Sequence, residues 1–305
     1  MLDISPRLLS LTPLSVTDSN STMRVGFLGL GFMGTPMACN LARRYPLTVW
    51  NRSASKYPAL KKAGASIAES PSKVLEQSDI TFTMLFNAPA IESIIDDSFT
   101  RALRGKTIVN TSSVPVEFST SFARRVHEAG GSFIEMPVSG SKIPAEQGQL
   151  VGMMAGDPDI ADRIRPVVEP ITCAAVYCGP IGSGLKMKYA VNLLLITLTV
   201  GLAESMNLAR AQGLNLEAFA KVLEACPMAS NYSKIKVKKM LDEDWSAQAT
   251  IKDCHNSTEL IQSAAASVDT KAPFIQLCGA LYGEAKALGL GEEDMIAVTK
   301  MMMKP

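Results

Sequence analysis

The stretch from Arg24 to Arg44 constrains the fold more than any other part of the sequence. It begins with the apolar run Arg24–Leu30, which is typical of a buried strand. The run leads into Gly29-Leu30-Gly31-Phe32-Met33-Gly34, and the segment from about Phe32 to Arg44 indicates a helix. A buried strand, a glycine turn and a helix in that order predict the start of a βαβ unit, and therefore a sheet with parallel strands.

Short apolar runs and helix-length segments keep alternating through the first part of the chain. This alternation is typical of α/β domains, in which helices cover both faces of a parallel sheet and the crossovers are right-handed. We therefore expect the fold class α/β, with an N-terminal domain of the Rossmann type. The further predicted strands are Leu47–Trp50, Ile80–Leu85, Thr107–Asn110, Ser132–Met136 and Val151–Ala155.

The strand pattern stops after Gly184, and a second, all-helical domain is expected from there. A length of 305 residues also favours two domains. We predict a loose leader over residues 1–22, a nucleotide-binding domain over 23–184, and a helical domain over 185–305, joined by a long helix. The predicted helices of the second domain are Lys186–Gln212, Glu217–Ala225, Tyr232–Leu241, Ile251–Ala266 and Pro273–Leu288.

Composition excludes several classes of protein. The net charge of +1 argues against nucleic-acid binding through bulk charge, and 47% apolar residues argue against disorder. Six scattered cysteines without a Cys-x-x-Cys pair favour buried thiols over disulfides or a metal site. The uncharged stretch Tyr189–Ala203 is shorter than a bilayer requires, so we interpret it as a core helix. Residues 1–22 contain one basic residue, Arg7, which favours a cytoplasmic protein and leaves organelle targeting open.

The glycine pattern indicates a dinucleotide cofactor, because it follows a predicted strand and opens a predicted helix. Gly29 is expected to allow the tight turn, Gly31 to let the backbone approach the pyrophosphate, and Gly34 to let the helix pack on the strand. The helix N-terminus then favours the negative charge of the phosphates. The predicted cofactor-binding residues here are Gly29, Leu30, Gly31, Phe32, Met33 and Gly34.

The end of the second strand predicts which dinucleotide binds. Sites for NAD usually carry a carboxylate there, which accepts a hydrogen bond from the ribose 2′-hydroxyl. This chain has Asn51-Arg52-Ser53 instead. The Arg52 guanidinium suits a 2′-phosphate, with Asn51 and Ser53 adding hydrogen bonds, so the predicted cofactor is NADP(H). The alternative is that Arg52 is a solvated loop residue.

Two segments place small polar residues at the ends of predicted strands, where ligands bind in open α/β sheets. The first is Asn110-Thr111-Ser112-Ser113, in which Ser113 could instead cap the helix Val116–Glu128. The second is Pro137–Lys142, whose backbone N–H groups could hold a carboxylate, or which could be a plain strand-to-helix turn. Taken singly, the first segment favours a helix cap and the second favours a plain strand-to-helix turn.

A third segment, Gly182–Lys188, leads into the uncharged helix. Lys188 and Asn192 are four residues apart and share one helical face. Desolvation beside an apolar stretch lowers the pKa of a lysine and suits it to proton transfer. From composition alone, a lysine that extends its ammonium into solvent is the favoured alternative. Lys186 is expected to point elsewhere.

From Met23 to about Met303 the sequence resembles the β-hydroxyacid dehydrogenase superfamily. The cofactor signature G-L-G-x-M-G-x-P-M-A-x-N-L is present at Gly29–Leu41, and Pro137–Ser141 resembles the substrate segment. Gly182–Asn192 resembles G-x-G-x-x-x-K-x-x-N-N, and a late Lys-Asp pair is present at Lys252-Asp253. The resemblance implies that Lys188 is the catalytic general acid and base, with Asn192 as its helical partner.

Within the superfamily, Val138–Leu150 is most similar to the glyoxylate and succinic semialdehyde reductases. This resemblance implies a reductase that uses NADPH to transfer hydride to a small aldehyde or keto acid. The alternatives are a 3-hydroxyisobutyrate-like dehydrogenase, an imine reductase on the same scaffold, and a non-catalytic NADP-binding interaction module. The implied cofactor contacts are Leu85, Phe86, Asn87, Ser113 and Lys252, and the implied substrate contacts are Ser112, Ser139, Gly140, Ser141 and Asp253.

The sequence departs from the family pattern around the expected substrate. Asn110 and Ser113 stand where the family has Asp and Thr, and Phe86 is bulkier than the usual residue. Val191 replaces the first of two asparagines, and Cys254-His255 follow the Lys-Asp pair. We interpret Cys254 as a packing residue and leave open whether His255 lines the pocket.

Three further features have non-catalytic interpretations. The basic run Lys234, Lys236, Lys238 and Lys239 is expected to be a solvated helix face, since acids follow at Asp242–Asp244. His127 is expected at the surface of a helix that covers the sheet. The uncharged helix and the methionine-rich second half favour a homodimer or higher homo-oligomer.

Overall fold

The computed structural model describes residues 23–303, and the predicted leader over residues 1–22 lies outside the described residues. Its centre is one sheet in the order β3-β2-β1-β4-β5-β6-β8-β7, with β9 paired to β8. The strands are β1 (Val25–Leu28), β2 (Leu47–Trp50), β3 (Ser66–Ile67), β4 (Ile80–Thr83), β5 (Thr107–Asn110), β6 (Ser132–Glu135), β7 (Val138–Ser139), β8 (Leu150–Gly156) and β9 (Thr172–Gly179).

The sequence pattern predicted a parallel sheet. The strands are parallel from β3 to β6, but the rest of the sheet is mixed. β8 runs antiparallel to both β6 and β7, while β9 is parallel to β8. The sequence did not indicate β3, β7 or β9. β3 and β7 have two residues each, and β9 has a half-exposed pattern in place of an apolar run, so none carries the signature of a buried strand.

Helices cover the sheet, and the register of the strands brings four strand ends to one edge. Leu28, Thr83, Asn110 and Glu135 are aligned partners on β1, β4, β5 and β6. The helices of this part are α1 (Gly34–Ala42), α2 (Tyr57–Lys62), α3 (Pro71–Gln77), α4 (Ala88–Glu92), α5 (Asp97–Ala102), α6 (Val116–Glu128), α7 (Lys142–Glu146) and α8 (Pro158–Val168), with a 3-10 turn at Ala54–Lys56. His127 is exposed on α6, as predicted.

The second part of the described chain is helical, and the predicted α/β class with an all-helical C-terminal region is confirmed. Its helices are α9 (Ser183–Ala211), α10 (Leu216–Ala225), α11 (Asn231–Leu241), α12 (Ile251–Ser267) and α13 (Pro273–Ala287), followed by a 3-10 helix at Met295–Met301. Asn215 caps α10, its side chain accepting from the N–H of Ala218, as the sequence indicated. The division of the chain at residues 184 and 185 stays a prediction.

The two faces of the sheet belong to different apolar clusters. One cluster packs α1 and α8 on the sheet through residues such as Phe27, Met37 and Ile164. The other begins on the opposite face, with Ile108 and Phe122, and continues through α9 into the helical part. Because this second core is shared, α9 is held directly against the carboxyl edge of the sheet.

The long helix α9 is more extended than the uncharged stretch suggested. Its 29 residues make it the one helix among residues 23–303 that is long and apolar enough to cross a membrane by length and composition. The interpretation from the sequence concerned only the uncharged stretch Tyr189–Ala203, and the predicted helix Lys186–Gln212 is close to the observed bounds. Its buried residues, such as Ile196, Val200 and Ala203, belong to the shared core, which agrees with a core helix.

Candidate active site

A cavity of about 480 Å³ lies between the carboxyl edge of the sheet and the helices α9 and α12. Its walls come from seven separate segments of the chain, which the fold brings together. The predicted site residues that line it are Gly31, Phe32, Met33, Gly34, Leu85, Phe86, Ser113, Gly140, Ser141, Lys188, Asn192, Lys252 and Asp253. The predicted residues outside its lining are Gly29, Leu30, Asn51, Arg52, Ser53, Asn87, Ser112 and Ser139.

The three glycines of the first turn differ in what requires them. Gly29 has φ of +98°, and a Cβ there would lie 2.3 Å from the Met84 carbonyl oxygen. A Cβ on Gly34 would lie 2.0 Å from the carbonyl oxygen of Gly29, so the fold itself excludes larger residues at both positions. Gly31 has no described atom within 4 Å of the position of a Cβ, and it lines the cavity. A glycine with open space in front of it fits a turn against which a pyrophosphate packs closely.

The end of β2 is tied to this turn. Asn51 Oδ1 accepts a hydrogen bond of 2.9 Å from the N–H of Leu30, and Asn51 Nδ2 donates to the Ser53 carbonyl. The Arg52 side chain is exposed and forms no ion pair or hydrogen bond with any residue in the described range 23–303. Asn51 is therefore committed to the protein, whereas the Arg52 guanidinium has all its donors free for an anion.

The loop after β4 divides between the cavity and the protein interior. Leu85 and Phe86 line the cavity, and Phe86 is exposed at its mouth. The Asn87 side chain accepts from the N–H of Ala90 as the N-cap of α4 and is outside the cavity lining, so its implied contact with the cofactor stays a prediction. The amide oxygen of Asn87 satisfies a free helix N–H and so helps to fix the start of α4.

The segment Asn110–Ser113 lies between the end of β5 and the start of α6. Ser112 is buried, and its Oγ accepts a 2.9 Å hydrogen bond from the N–H of Leu85, so its implied contact with the substrate stays a prediction. Ser113 lines the cavity, and Pro115 occupies the N-cap of α6, so the alternative that Ser113 caps this helix is wrong. Asn110 Oδ1 accepts from Thr83 Oγ1 at 2.8 Å and holds the end of β5 in place.

The second polar segment presents only its last residues to the cavity. Ser139 lies on β7, paired with Val151 of β8, and does not line the cavity. Gly140 and Ser141 do line it, immediately before α7. A Cβ on Gly140 would lie 2.6 Å from Leu150 Cδ2, so this glycine is needed for close packing as well as for access.

Lys188 lies on α9 and is the buried cation of the cavity. It is 8% exposed and forms no ion pair or hydrogen bond with a described residue. Burial lowers its pKa to about 8, from an ordinary value of 10.5. Lys186 is exposed and points away, as predicted, so only one of the two lysines of this segment faces the cavity.

Asn192 lies one turn after Lys188 and lines the same cavity. Its Oδ1 is buried and has no partner among the described residues. A buried acceptor without a partner is costly, so this atom fits the binding of a donor that the protein alone does not supply. The alternative that Lys188 extends into solvent is wrong, because only 8% of the residue is exposed.

The start of α12 adds charged groups. Asp253 Oδ2 accepts a 2.6 Å hydrogen bond from Thr250 Oγ1, which orients the carboxylate at the cavity wall. Lys252 Nζ pairs with the Glu292 carboxylate at the rim. Cys254 is buried in the wall, and burial raises the pKa of its thiol, so it is a neutral packing residue as interpreted. His255 packs against Gly283 of α13 and does not line the cavity.

Sequence reasoning missed several polar residues of the cavity: Gln248, Thr250, Asn256, Ser257 and Glu292. Asn256 and Ser257 lie about one turn beyond Lys252 and Asp253 on α12, so helical periodicity could have indicated them. Gln248 and Glu292 come from loops that carry no pattern in the sequence. The absence of a metal stays a prediction; residues 23–303 contain no group of three or more His, Cys, Asp or Glu that could hold an ion.

The basic run on α11 is not a solvated face throughout. Lys236 is buried and pairs with the buried Asp294 at 2.6 Å, and Lys239 pairs with Asp244 at 2.6 Å. The expectation of solvation was therefore wrong for these two lysines. Asp294 Oδ2 also accepts from the N–H of Gln248, so the pair holds one wall of the cavity.

Two family models match the chain in succession. Residues 24–179 match the NAD binding domain of 6-phosphogluconate dehydrogenase, and residues 182–302 match the model described as NAD-binding of NADP-dependent 3-hydroxyisobutyrate dehydrogenase. The matched segments meet between β9 and α9, close to the predicted division of the chain.

Known proteins resemble the chain over nearly its whole length. It is 33% identical to the chloroplastic glyoxylate/succinic semialdehyde reductase 2 of Arabidopsis thaliana, over 97% of this chain and 83% of that protein. It is 32% identical to glyoxylate/succinic semialdehyde reductase 1 of the same plant, over 90% of this chain and 97% of that protein. The crystal structure of a 3-hydroxyisobutyrate dehydrogenase from Salmonella typhimurium has the same fold, with a TM-score of 0.84 at 21% identity over 92% of this chain and 99% of that one.

Proposed function

Because the chain belongs to the β-hydroxyacid dehydrogenase family of NADP(H)-dependent oxidoreductases, we propose that it is a reductase of small aldehyde or keto acids. The substrates named for its plant relatives, glyoxylate and succinic semialdehyde, belong to this class. One observation carries the proposal. The unpaired, buried Lys188 shares a cavity with the glycine turn Gly31–Gly34.

The residues present fit a bound dinucleotide. The open space at Gly31 and the start of α1 suit the pyrophosphate, and the free Arg52 guanidinium suits a 2′-phosphate. Leu85, Phe86, Ser113 and Lys252 are then expected to surround the nicotinamide end. When bound, NADPH supplies a hydride to the carbonyl carbon of the substrate.

Lys188 is the proposed general acid. Its ammonium donates a proton to the oxygen of the substrate as negative charge develops there, and the neutral amine accepts that proton in the reverse direction. Asn192 Oδ1, which has no partner among the described residues, accepts a hydrogen bond from this ammonium or from the substrate hydroxyl. Both roles require the low exposure of the cavity wall, since water would compete for the same hydrogen bonds.

The carboxylate of the substrate is proposed to bind at Gly140 and Ser141. These two residues line the cavity, whereas Ser112 and Ser139 do not. Asp253, held by Thr250, then shapes the far wall. Fixing the carboxylate at one end leaves the carbonyl oxygen to face Lys188, which restricts the geometry of proton transfer.

A substrate panel tests the proposed function. Glyoxylate, succinic semialdehyde and a cyclic imine are assayed with NADPH and NADH, and 3-hydroxyisobutyrate is assayed with NADP+ and NAD+. The highest kcat/KM is expected for an aldehyde acid with NADPH. A higher kcat/KM for 3-hydroxyisobutyrate contradicts the proposal and indicates a 3-hydroxyisobutyrate-like dehydrogenase. A higher value for the imine contradicts it and indicates an imine reductase. Purified protein that binds NADPH but converts none of the four compounds favours an interaction module.

The pH dependence of the reaction follows from Lys188. Its pKa of about 8 means that the ammonium form is lost as the pH rises through that value. The kcat for reduction is therefore expected to fall above pH of about 8, and the kcat for oxidation, which needs the neutral amine, to rise over the same range. Initial rates in both directions across the range measure this, and a reductive rate that stays constant contradicts the assignment.

An apolar stripe on α9 supports the expected homodimer. Met187, Val191, Leu194 and Leu198 recur every three or four residues and are all exposed, so they form one face of the helix. We propose that a second copy of the chain covers this face. Light scattering is expected to give twice the chain mass of 32.6 kDa, and a monomer mass contradicts the proposal. The cytoplasmic location and the absence of membrane and nucleic-acid partners stay predictions.

A further inference from the structure

Glu135 is a fully buried carboxyl group that lies outside the cavity and has no part in the proton transfer described above. It is the last residue of β6, with 0% of its surface exposed, and it aligns with Asn110 of β5 and Ala155 of β8. Buried glutamates are rare unless they are paired or hydrogen-bonded. No basic side chain in residues 23–303 pairs with it, so its partners must be hydrogen-bond donors.

Those donors come mainly from the start of α9. The N–H of Leu185 donates to Glu135 Oε1 at 2.9 Å, and the N–H of Gly182 lies 3.2 Å from both carboxyl oxygens. Ser119 Oγ on α6 completes the set at 2.5 Å from Oε2. Burial raises the pKa of Glu135, while these hydrogen bonds act in the opposite direction.

This carboxyl group replaces the missing N-cap of α9. The N-cap position is Gly182, in the left-handed conformation with φ of +95°, and it has no side chain to satisfy the free N–H groups. Capping side chains usually come from the N-cap residue itself. Here the cap comes from a strand of the sheet, so the hydrogen bonds also attach the helix to β6.

The first turn of α9 lies directly on the sheet at this point. A Cβ on Gly184 would lie 2.5 Å from the Met153 carbonyl oxygen and 3.0 Å from Glu135 Oε1. Lys188 follows Leu185 by three residues, which is about 4.5 Å along a helix axis. A shift of this first turn is therefore transmitted to Lys188 with little loss, because the intervening helix is rigid.

We propose that Glu135 is a positioning residue for the reaction: by capping α9 from β6, it places the Lys188 ammonium at the carbonyl oxygen of the substrate. The inference rests on the proposed role of Lys188. Glu135 is outside the cavity lining and the cofactor turn, so it acts on Lys188 through α9. Replacing Glu135 is therefore expected to lower kcat and to leave NADPH binding unchanged.

Replacement of Glu135 by leucine tests this. Leucine keeps the bulk but leaves the N–H groups of Gly182 and Leu185 without an acceptor, and kcat is expected to fall about ten- to hundred-fold, as for a misplacement of about 1 Å. The KM for NADPH is expected to stay within about two-fold of its original value. Glu135→Gln keeps one carbonyl oxygen for Leu185 while its amide donates to Ser119 Oγ, so this variant should restore most of kcat.

Ser119→Ala is the matched control. It removes the hydrogen bond from α6 but leaves those from α9, so kcat is expected to stay within about three-fold of the original. A loss in Ser119→Ala as large as in Glu135→Leu assigns the effect to the buried carboxyl environment and overturns the proposal. An unchanged kcat in folded Glu135→Leu overturns it as well.

A double-mutant cycle separates positioning from a general structural role. In the Lys188→Ala background, Glu135→Leu should leave the residual rate unchanged, because the group that it positions is gone. An equal loss in both backgrounds contradicts positioning. Lys188→Ala by itself reports the proposed function, so failure of that function is seen separately.

If the Glu135→Leu variant does not fold, the Gly184→Ala variant tests the same proposal. Its added Cβ pushes the first turn of α9 away from Met153 and Glu135 while the carboxyl group remains. The same loss of kcat with intact NADPH binding is expected. Folded Gly184→Ala with an unchanged kcat overturns the proposal.

Discussion

Replacing Lys188 by alanine is expected to lower kcat about 10²- to 10⁴-fold, the usual contribution of a general acid. NADPH affinity should change little, because Lys188 lies on α9, whereas the glycine turn proposed to hold the pyrophosphate lies at the start of α1. The loss arises because no other unpaired ammonium group among the described residues lies buried in this cavity. Steady-state kinetics with the best aldehyde acid and a fluorescence titration of NADPH measure the two quantities separately.

Lys186→Ala is the matched control for this experiment. It removes the same charge from the same helix, but its side chain is exposed and outside the cavity lining. Its kcat is expected to equal that of the unchanged protein. Turnover retained in Lys188→Ala removes this residue from the catalytic role, and equal losses in the two variants assign the effect to the helix and not to the ammonium.

Replacing Arg52 by alanine is expected to raise the KM for NADPH about 10- to 100-fold while the KM for NADH stays nearly constant. A hydrogen bond to a charged group contributes about 1.5–3 kcal/mol, and each 1.4 kcal/mol is about a factor of ten in affinity. Arg52 forms no ion pair within the described residues, so its guanidinium loses no protein contact when it binds a phosphate. Kinetics with each cofactor at saturating aldehyde measure the difference.

Arg101→Ala provides the control for charge. It removes one positive charge from an exposed position on α5, away from the cavity, and both KM values are expected to remain unchanged. Because Arg52 is exposed, the NADPH preference should also weaken as salt is added. An Arg52→Ala variant whose two KM values rise equally shows that the discrimination between cofactors lies elsewhere.

Local patterns were sufficient to predict most of the architecture. Buried strands such as Leu47–Trp50 and Thr107–Asn110 were predicted with the bounds that the structure has, because continuous apolar runs between helices are the mark of a parallel sheet. β9 was not predicted, because it is half-exposed and pairs with β8 outside the run of buried parallel strands. The antiparallel direction of β8 depends on the short connection around α7. The spacing of apolar residues in the sequence does not indicate the direction of a strand.

The site divides in the same way. Gly31, Lys188 and Asn192 line the cavity as expected because contiguous motifs carry them. Ser112 and Asn87 belong to motifs too, yet their side chains bond to the protein, since residue type does not determine which way a side chain points at the end of a strand. Gln248 entered the cavity without any motif, because only packing brings its loop there.

By itself, the sequence determined which chemical groups are available: a glycine turn without bulk, an arginine without a carboxylate beside it, and a lysine at the start of an uncharged helix. What the tertiary structure alone decided is how those groups behave. Lys188 has a pKa of about 8 because α9, α12 and the sheet together remove water from around it. Desolvation is a property of all the neighbours at once, and most of those neighbours are distant in the chain.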